Sequence, residues 1–346
     1  MEVIPTSKEK SSARIVLITG ATSGIGFEAL LKLIESRHHV IAPCRNDFRR
    51  QEILFKINKR NNSFSSLKSN VFMPIMDLSN INSIRKSVDE IKSRYDHIDT
   101  LALNAGMQYT GAKEPRRSEQ KFELTFAINH LAHQYLTQLI INLLLKSRFP
   151  RVIVTSSEVH NPKSAGGRIG LPAGLGNLTG ILYEKNFSML DGKSEFSADK
   201  AYKDSKLCNI LFARELNRLL NNIGHRLPIL CWAPGLVIPR TSEGFFRYSR
   251  QFNEIGQRVF SFFARDLFRI TENVDRAGLI LKRLSVDEEF GEPDFKYYSN
   301  NLVRPGNFSL GISETSKEAA DQQLAIRLWN RSAELLNISN QLRLAD

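Results

Sequence analysis

Short apolar runs alternate with stretches of helical hydrophobic spacing along most of this chain. The apolar runs, rich in β-branched residues, predict strands at 14–19, 39–45, 69–78, 98–106, 150–158, 226–235 and 295–300. Between them, apolar residues recur every three or four positions, which predicts helices at 27–37, 80–95, 119–146 and 197–220. Such alternation predicts an α/β fold, in which helices cover both faces of one doubly wound parallel sheet.

The chain contains no internal repeat and no stretch typical of a linker between domains. A polar segment, residues 1–12, precedes the first predicted strand, and we expect it to form an N-terminal tail. The 346 residues are compatible with one large domain. We therefore predict a single domain over 13–340.

Composition narrows the class of protein. With 42% hydrophobic and 24% charged residues the chain should be globular, and its three cysteines favour neither a disulfide framework nor a zinc site. The net charge of +12 comes from scattered Lys and Arg without a nucleic-acid motif, so we expect no nucleic-acid partner. The absence of an apolar leader or of about 18 consecutive apolar residues predicts a cytoplasmic protein.

A glycine-rich turn follows the first predicted strand. Residues 19–26 read TGATSGIG, with Gly20, Gly24 and Gly26 between strand and helix. Glycines allow the backbone to turn tightly, and the N–H groups of Ser23, Gly24 and Ile25 can then meet a pyrophosphate at the start of the helix. The motif predicts a Rossmann-type dinucleotide site.

The G-x-x-x-G-x-G spacing resembles the short-chain dehydrogenase/reductase family, and further motifs extend the resemblance over most of residues 14–300. The resemblance implies cofactor contacts from three short motifs: Asp77 and Leu78; Asn104, Ala105 and Gly106; and Pro234 and Gly235. Arg45 stands at the end of the second strand, where a base accommodates the 2′-phosphate of the cofactor. We therefore expect NADPH rather than NADH, the alternative being a solvated arginine.

Tyr202 and Lys206 are four positions apart in a predicted helix and so project from one face. An adjacent cation is expected to lower the pKa of the phenol. With Ser157 and Asn129 they match the family's catalytic set, which implies that Tyr202 donates a proton, Lys206 holds the nicotinamide ribose, Ser157 orients the substrate and Asn129 supports a proton relay. Ser156 is the alternative to Ser157. The family chemistry needs no metal, and none is expected.

Ser157 and Tyr202 are 45 positions apart, so an insertion at 158–197 should border the substrate pocket. The stretches at 111–133, 175–180 and 197–218 and the C-terminal stretch from Glu314 resemble light-dependent protochlorophyllide reductases. That branch implies hydride transfer from NADPH to a ring double bond of a tetrapyrrole, with the proton attributed to Tyr202 and a role in chlorophyll biosynthesis and photosynthesis. The branch usually has cysteine where this chain has Leu236.

Two alternatives remain open. One is an NADPH-dependent aldehyde or ketone reductase of the retinol dehydrogenase type, acting on a bulky apolar carbonyl or alkene, which Leu236 and the histidine in SSEVH favour. The other is a cofactor-sensing binding protein, which the intact Tyr202 and Lys206 disfavour. In each case the partner is a small molecule, and any oligomeric state is compatible with the sequence.

The segment 241–272 is aromatic and basic. From Phe245 to Ile270 it has seven Phe, one Tyr, five Arg and two acids, with an apolar stripe at helical spacing formed by Phe252, Ile255, Val259 and Phe262. We predict a lid over a large, flat, carboxylate-bearing ligand, with peripheral membrane contact as a second role. Thr241 is a candidate either for nicotinamide binding or for a helix N-cap.

Overall fold

The computed structural model describes residues 13–60, 70–182, 186–238, 247–252 and 254–342, so the predicted tail lies outside the described residues. The strands are Ile15–Ile18 (β1), His39–Ile41 (β2), Val71–Phe72 (β3), Thr100–Leu103 (β4), Arg151–Thr155 (β5), Ile229–Ala233 (β6), Phe295–Arg304 (β7) and Asn307–Ile312 (β8). The α-helices are Gly24–Glu35 (α1), Asp47–Arg60 (α2), Ile81–Arg94 (α3), Leu124–Phe126 (α4), Ala132–Leu145 (α5), Ala198–Asn222 (α6), Arg247–Arg250 (α7), Glu254–Ser261 (α8), Val274–Val286 (α9) and Gln322–Leu336 (α10).

All eight strands form one sheet in the order β3-β2-β1-β4-β5-β6-β7-β8. The pairs from β3 to β7 are parallel, and β8 adds antiparallel to β7. The order reverses between β1 and β4, which in a doubly wound sheet opens a crevice at the carboxyl ends of these strands. The predicted fold class is confirmed, and ligand binding is expected at this edge.

Successive side chains of each central strand pack into two different hydrophobic clusters, one on each face of the sheet. Leu17, Leu101 and Val152 pack into a cluster with α3, α5, α6 and α10. Val16 and Ala102 lie in the opposite cluster, with α1, α2 and α9. Because successive side chains of a strand point to opposite faces, apolar runs without polar alternation indicate a sheet covered on both sides.

The structure differs from the predicted elements at the last strand and at α2, α9 and α10, three helices that the sequence pattern did not predict. Beyond β7 the chain turns at Gly306, where φ is +76°, and returns as β8, a strand that the sequence analysis did not predict. Most of the apolar stripe of the lid segment lies on α8 and on the π-helical turn at Phe262–Leu267 that follows it, and Ile255 is 80% exposed.

Candidate active site

The turn between β1 and α1 is closely packed against the loop after β4. Gly20 and Gly24 have φ angles of +71° and +56°, which favour glycine. A Cβ at Gly20 would lie 2.8 Å from the Cα of Ala105, and one at Gly26 would lie 2.4 Å from the Gly20 carbonyl oxygen. The N-cap residue of α1, Ser23, makes no side-chain capping hydrogen bond, so the first N–H groups of the helix are left for an anion. This cradle fits the pyrophosphate of a dinucleotide.

Two residues that the sequence analysis missed, Thr19 and His133, hold the loop after β4. The Thr19 hydroxyl accepts hydrogen bonds from the backbone N–H groups of Asn104 and Ala105, both at 3.0 Å. His133 Nδ1 donates to the Asn129 carbonyl at 3.0 Å, so its Nε2 accepts from the Thr19 hydroxyl at 3.1 Å. Burial lowers the pKa of His133 to about 3, which keeps the imidazole in this neutral form. No sequence spacing indicates this contact, because 114 positions separate the pair.

The other predicted cofactor residues of the β1–β4 half lie along the same edge. Asp77 Oδ1 accepts from the backbone N–H and the hydroxyl of Ser79, at 2.9 and 2.8 Å, which shapes the turn beyond β3. Leu78 and Ile25 are partly buried against opposite cores. Asp77 and Leu78 are thus held in the turn beyond β3.

Arg45 is the exposed base beyond β2. Its guanidinium donates from Nη1 to the hydroxyl of Tyr248 in α7, at 2.9 Å. Arg49 instead pairs with Glu52 at 2.6 Å, and Arg50 pairs with Asp47. Of these three arginines, Arg45 is therefore the one whose described partner carries no charge.

Tyr202 and Lys206 face the crevice from α6. Lys206 Nζ donates to the Thr155 carbonyl at the end of β5, at 3.0 Å, and lies 5.7 Å from the centroid of the Tyr202 ring. Burial lowers the pKa of Lys206 to about 8. A Cβ at Gly106 would lie 3.3 Å from Lys206 Nζ, so a larger residue would crowd the cation beside this loop.

The phenol of Tyr202 differs from the sequence-based expectation. Burial raises its pKa above the ordinary value, and the hydrogen bond with Ser157 acts in the opposite direction. A lowered pKa was expected, but the Lys206 ammonium is directed to the Thr155 carbonyl and burial dominates. The phenol is therefore protonated at neutral pH, the form that can donate a proton.

The two adjacent serines after β5 have different partners. Ser157 is hydrogen-bonded to Tyr202, whereas the buried Ser156 donates to the Lys206 carbonyl at 2.8 Å and so joins β5 to α6. The geometry favours Ser157 as the serine of the site.

Asn129 lies in a π-helical turn, Ala127–Leu131, between α4 and α5. Its Oδ1 accepts from the Met107 N–H at 2.8 Å, and its Nδ2 donates to the Met107 carbonyl at 3.0 Å and to Ser205 Oγ at 2.9 Å. The amide therefore connects the loop after β4 to the helix that carries Tyr202. Single π-turns of this kind are frequent at functional sites.

The Pro234-Gly235 turn lies beyond β6. Gly235 has a φ of +80°, and a Cβ there would lie 3.0 Å from the Asn300 carbonyl oxygen. Asn300 Nδ2 donates to the Pro234 carbonyl at 3.2 Å and to Glu272 Oε2 at 2.8 Å. The predicted site residues that the structure describes thus lie beyond the ends of β1 to β6 or on the helices facing them.

Comparison with known proteins agrees with this arrangement. The short chain dehydrogenase family matches residues 14–168. A protochlorophyllide reductase of Cucumis sativus is 31% identical, covering 97% of this chain and 81% of its own, and that of Chlamydomonas reinhardtii is 28% identical, covering 97% and 80%. Among solved structures, an uncharacterised protein from Mycobacterium paratuberculosis has a TM-score of 0.64 at 23% identity, covering 96% of this chain and 97% of its own.

The chain belongs to the short-chain dehydrogenase family. It is an oxidoreductase that acts on a small molecule with a nicotinamide cofactor. In the part of the chain that the structure describes, no helix is long and apolar enough to cross a membrane. The same residues contain no group of three or more His, Cys, Asp or Glu that could hold a metal ion.

In this short-chain dehydrogenase, buried charges attach the insertion at 158–197 to α6. Lys200 Nζ lies 2.6 Å from Asp204 Oδ2 and 3.3 Å from Asp191 Oδ2, and it donates to the Gly174 carbonyl at 2.7 Å. Asp204 accepts from the Gly174 N–H at 2.9 Å. Lys203 adds a hydrogen bond to the Leu171 carbonyl at 3.0 Å. The i, i+4 spacing of Lys200 and Asp204 was a usable sequence signal.

The lid segment, here its described residues 247–252 and 254–272, follows the carboxyl edge of the sheet. Near β2 it contacts Arg45 through Tyr248, and near β4 the Arg116 guanidinium lies 5.5 Å from the Tyr248 ring and 5.7 Å from the Phe252 ring. Near β6 its Ala264 packs against Leu236 and Ile238. Thr241 lies outside the described residues.

His160 is held by backbone groups, and the three cysteines are buried. His160 Nδ1 donates to the Ser157 carbonyl at 2.7 Å, and its Nε2 accepts from the Ser316 N–H at 3.2 Å, which connects the site to the C-terminal segment. Cys44, Cys208 and Cys231 are free and buried. Burial raises the pKa of Cys231 to about 12, so this thiol is not a ready nucleophile.

Proposed function

We propose that this chain is an NADPH-dependent reductase of the protochlorophyllide type, which reduces a ring double bond of a tetrapyrrole. The observation that carries the proposal is the Ser157–Tyr202–Lys206 group at the carboxyl edge of the sheet, next to the glycine cradle. The two protochlorophyllide reductases match 97% of the chain, including the insertion and the lid segment, which supports this substrate class. A role in chlorophyll biosynthesis and photosynthesis would follow.

The glycine turn, Arg45 and Lys206 are the residues that would hold NADPH. The cradle of Gly20, Gly24 and Gly26 would bind the pyrophosphate, and Arg45 would bind the 2′-phosphate. When bound, NADPH supplies a hydride. Lys206 would hold the nicotinamide ribose, with Gly106 leaving space beside its ammonium.

The chain's own residues would donate the proton and position the groups around it. Tyr202 is protonated at neutral pH because burial raises its pKa, so its hydroxyl would donate the proton that follows the hydride. Ser157 would orient the substrate through the hydrogen bond that it shares with the phenol. Asn129 would fix the loop after β4 relative to Tyr202, because its amide bonds both Met107 and Ser205.

A second candidate is a reductase of a bulky apolar aldehyde or ketone. Leu236, at the position where protochlorophyllide reductases usually have cysteine, packs against Ile238 and Ala264 and makes this part of the edge apolar. His160 does not favour this candidate, because its two ring nitrogens are bonded to backbone groups.

An absorption assay tests the two candidates. Purified protein with NADPH and protochlorophyllide should show a shift of the pigment's absorption band on illumination. Replacement of Tyr202 by Phe should slow the reaction by at least about 100-fold, since it removes the proton donor. The matched control Tyr95→Phe removes a hydroxyl at the C-cap of α3 and should leave the rate unchanged. No shift in the light, together with turnover of a retinal-like aldehyde in the dark, would instead support the second candidate.

We also propose peripheral membrane contact through the lid segment. Ile255, Phe262 and Phe268 are more than half exposed, next to basic residues such as Arg258. An exposed apolar surface with arginines matches an anionic lipid interface. Wild-type protein should sediment with vesicles that contain anionic phospholipid, and replacement of Arg247, Arg250 and Arg258 by Gln should reduce binding several-fold. Unchanged binding would contradict the proposal.

A further inference from the structure

Arg116 lies on the loop between β4 and α4, at the place where the lid segment packs against this loop. Its guanidinium carbon is 5.5 Å from the centroid of the Tyr248 ring, 5.7 Å from that of Phe252 and 6.0 Å from that of Tyr109. A Cβ at Gly111 would lie 2.9 Å from Phe252 Cβ, so the loop and the lid segment are in close contact here. The half-buried cation therefore lies among three aromatic rings, two of which belong to the lid segment.

Both backbone groups of Arg116 are hydrogen-bonded, which fixes the point from which the side chain extends. Its N–H donates to the Tyr109 hydroxyl at 3.1 Å, and its carbonyl accepts from the Leu124 N–H at 2.9 Å. The Tyr109 hydroxyl in turn donates to the buried Glu123 carboxylate at 2.5 Å. Because the backbone is already fixed, little of its freedom is lost when the side chain binds a ligand.

The charge of Arg116 is not neutralised by an acidic side chain in the part of the chain that the structure describes. Its guanidinium donates from Nη2 to Gln251 Oε1, at the long distance of 3.4 Å. Arg258 of the lid segment, by contrast, pairs with Glu254 at 2.6 Å. Aromatic rings stabilise a cation without neutralising it, and a guanidinium has five N–H donors. Arg116 therefore keeps its charge and most of its donors for an anion.

The aromatic surroundings of this arginine connect it to α6. The Tyr109 ring packs in one cluster with Met107 and Ala198. Ala198 is the first residue of α6, four positions before Tyr202. The Asn129 amide bonds both backbone groups of Met107. The guanidinium thus lies next to the cluster that borders the candidate active site.

We propose that Arg116 binds a carboxylate of the substrate through two parallel N–H···O hydrogen bonds. The inference rests on the proposed tetrapyrrole reductase and deepens it, because it names the residue that recognises the acidic side chain of the pigment. A guanidinium matches a carboxylate in this geometry, and half-burial among aromatic rings strengthens the pair relative to one in water. A pigment whose carboxyl group is esterified has no charge at this position and should bind more weakly. A cofactor phosphate is also an anion, so the test separates the two sources.

The test compares binding of two pigments to the full chain, in the dark and without turnover. The pigments are protochlorophyllide and the ester made by methylating its free carboxyl group, and pigment fluorescence gives their dissociation constants. Wild type should bind the acid about tenfold more tightly than the ester, because hydrogen bonds between two charged groups are lost with the carboxylate. In Arg116→Gln the acid should bind about tenfold more weakly, whereas the ester should bind as it does to wild type.

Two further variants and a cofactor titration serve as controls. Lys113→Gln removes an equal charge from an exposed lysine of the same loop and should retain the wild-type preference for the acid. Arg116→Lys keeps the charge without the planar fork, so it should retain only part of that preference. The dissociation constant of NADPH should be the same in Arg116→Gln as in wild type, because the cofactor phosphate is assigned to Arg45.

The outcomes separate the inference from the function on which it rests. Equal weakening of acid and ester in Arg116→Gln would show that Arg116 only packs the lid segment, and weaker NADPH binding with an unchanged pigment preference would assign its anion to the cofactor. Either result, or equal binding of acid and ester by wild type, would overturn the role of Arg116 and leave the reductase proposal standing. Wild-type protein that binds neither pigment would contradict the tetrapyrrole substrate itself, and the inference with it.

Discussion

At the scale of single residues, the site depends on side chains that are costly to bury. Lys200 and Asp204 are almost fully enclosed, and their ion pair at 2.6 Å offsets the loss of hydration. The Lys200 ammonium also reaches Asp191 and the Gly174 carbonyl, so one charge of α6 holds two parts of the insertion. These contacts start two residues before Tyr202, and α6 thus carries the proposed proton donor on one face and the insertion on another.

Replacement of Lys200 by Met should therefore destabilise the protein strongly. The change leaves Asp204 buried without its partner, which typically costs about 3–5 kcal/mol in the free energy of unfolding. The additional change Asp204→Leu should recover most of this loss, because it removes the unpaired charge. Urea unfolding measures both, with Lys163→Met as the control, since Lys163 is an exposed lysine of the same insertion. A loss for Lys200→Met no larger than that of the control would show that the buried ion pair does not hold the insertion.

At the scale of elements, apolar periodicity predicted seven of the strands and the principal helices of the site. Core strands such as β5 and β6 were predictable because a strand covered on both faces is continuously apolar. β8 was missed because only Phe308 of its six residues is buried, and an edge strand with one covered face carries a weak signal. The π-turn around Asn129 was also not predicted, since a single wide turn inside a long apolar segment has no distinct sequence signal.

Site residues could be predicted where their signal is local in the sequence, and not where it depends on a distant partner. Tyr202, Lys206 and the glycine turn could be predicted because helix spacing and backbone freedom are local properties of the sequence. Thr19, His133 and Tyr248 did not, since each acts through a partner more than 100 positions away. The lid segment was predicted from its aromatic and basic composition, and its role as a lid stays a prediction.

At the scale of the whole molecule, buried neutral histidines connect distant parts of the fold. His38 Nδ1 accepts from the Arg14 N–H at the start of β1, His130 Nε2 bonds Ser332 of α10 at 2.9 Å, and His133 bonds Thr19. Burial lowers the pKa of His38 to about 4 and those of His130 and His133 to about 3. Nearby Lys282 and Arg14 lower the pKa of His38 further.

These shifts make the free energy of unfolding depend on pH with a definite sign. An unfolded histidine binds a proton below its ordinary pKa of about 6.5, whereas folded His38 binds one only near pH 4. Between these values the unfolded state holds more protons, so stability falls as the pH falls. From pH 7.5 to 5.0 each such histidine should contribute a loss of about 2 kcal/mol.

The variant His38→Asn isolates this contribution, because Asn keeps an acceptor for the Arg14 N–H and does not titrate. Its stability should fall less than that of wild type between pH 7.5 and 5.0, by about 2 kcal/mol in urea unfolding. Buried acids such as Glu123, whose pKa is raised by burial, affect wild type and variant alike and cancel in the comparison. The control His225→Asn replaces a partly exposed histidine and should retain the wild-type pH dependence. If His38→Asn also retained it, the imidazole of His38 would have to be protonated in the folded protein, and its bond from Arg14 could not exist as described.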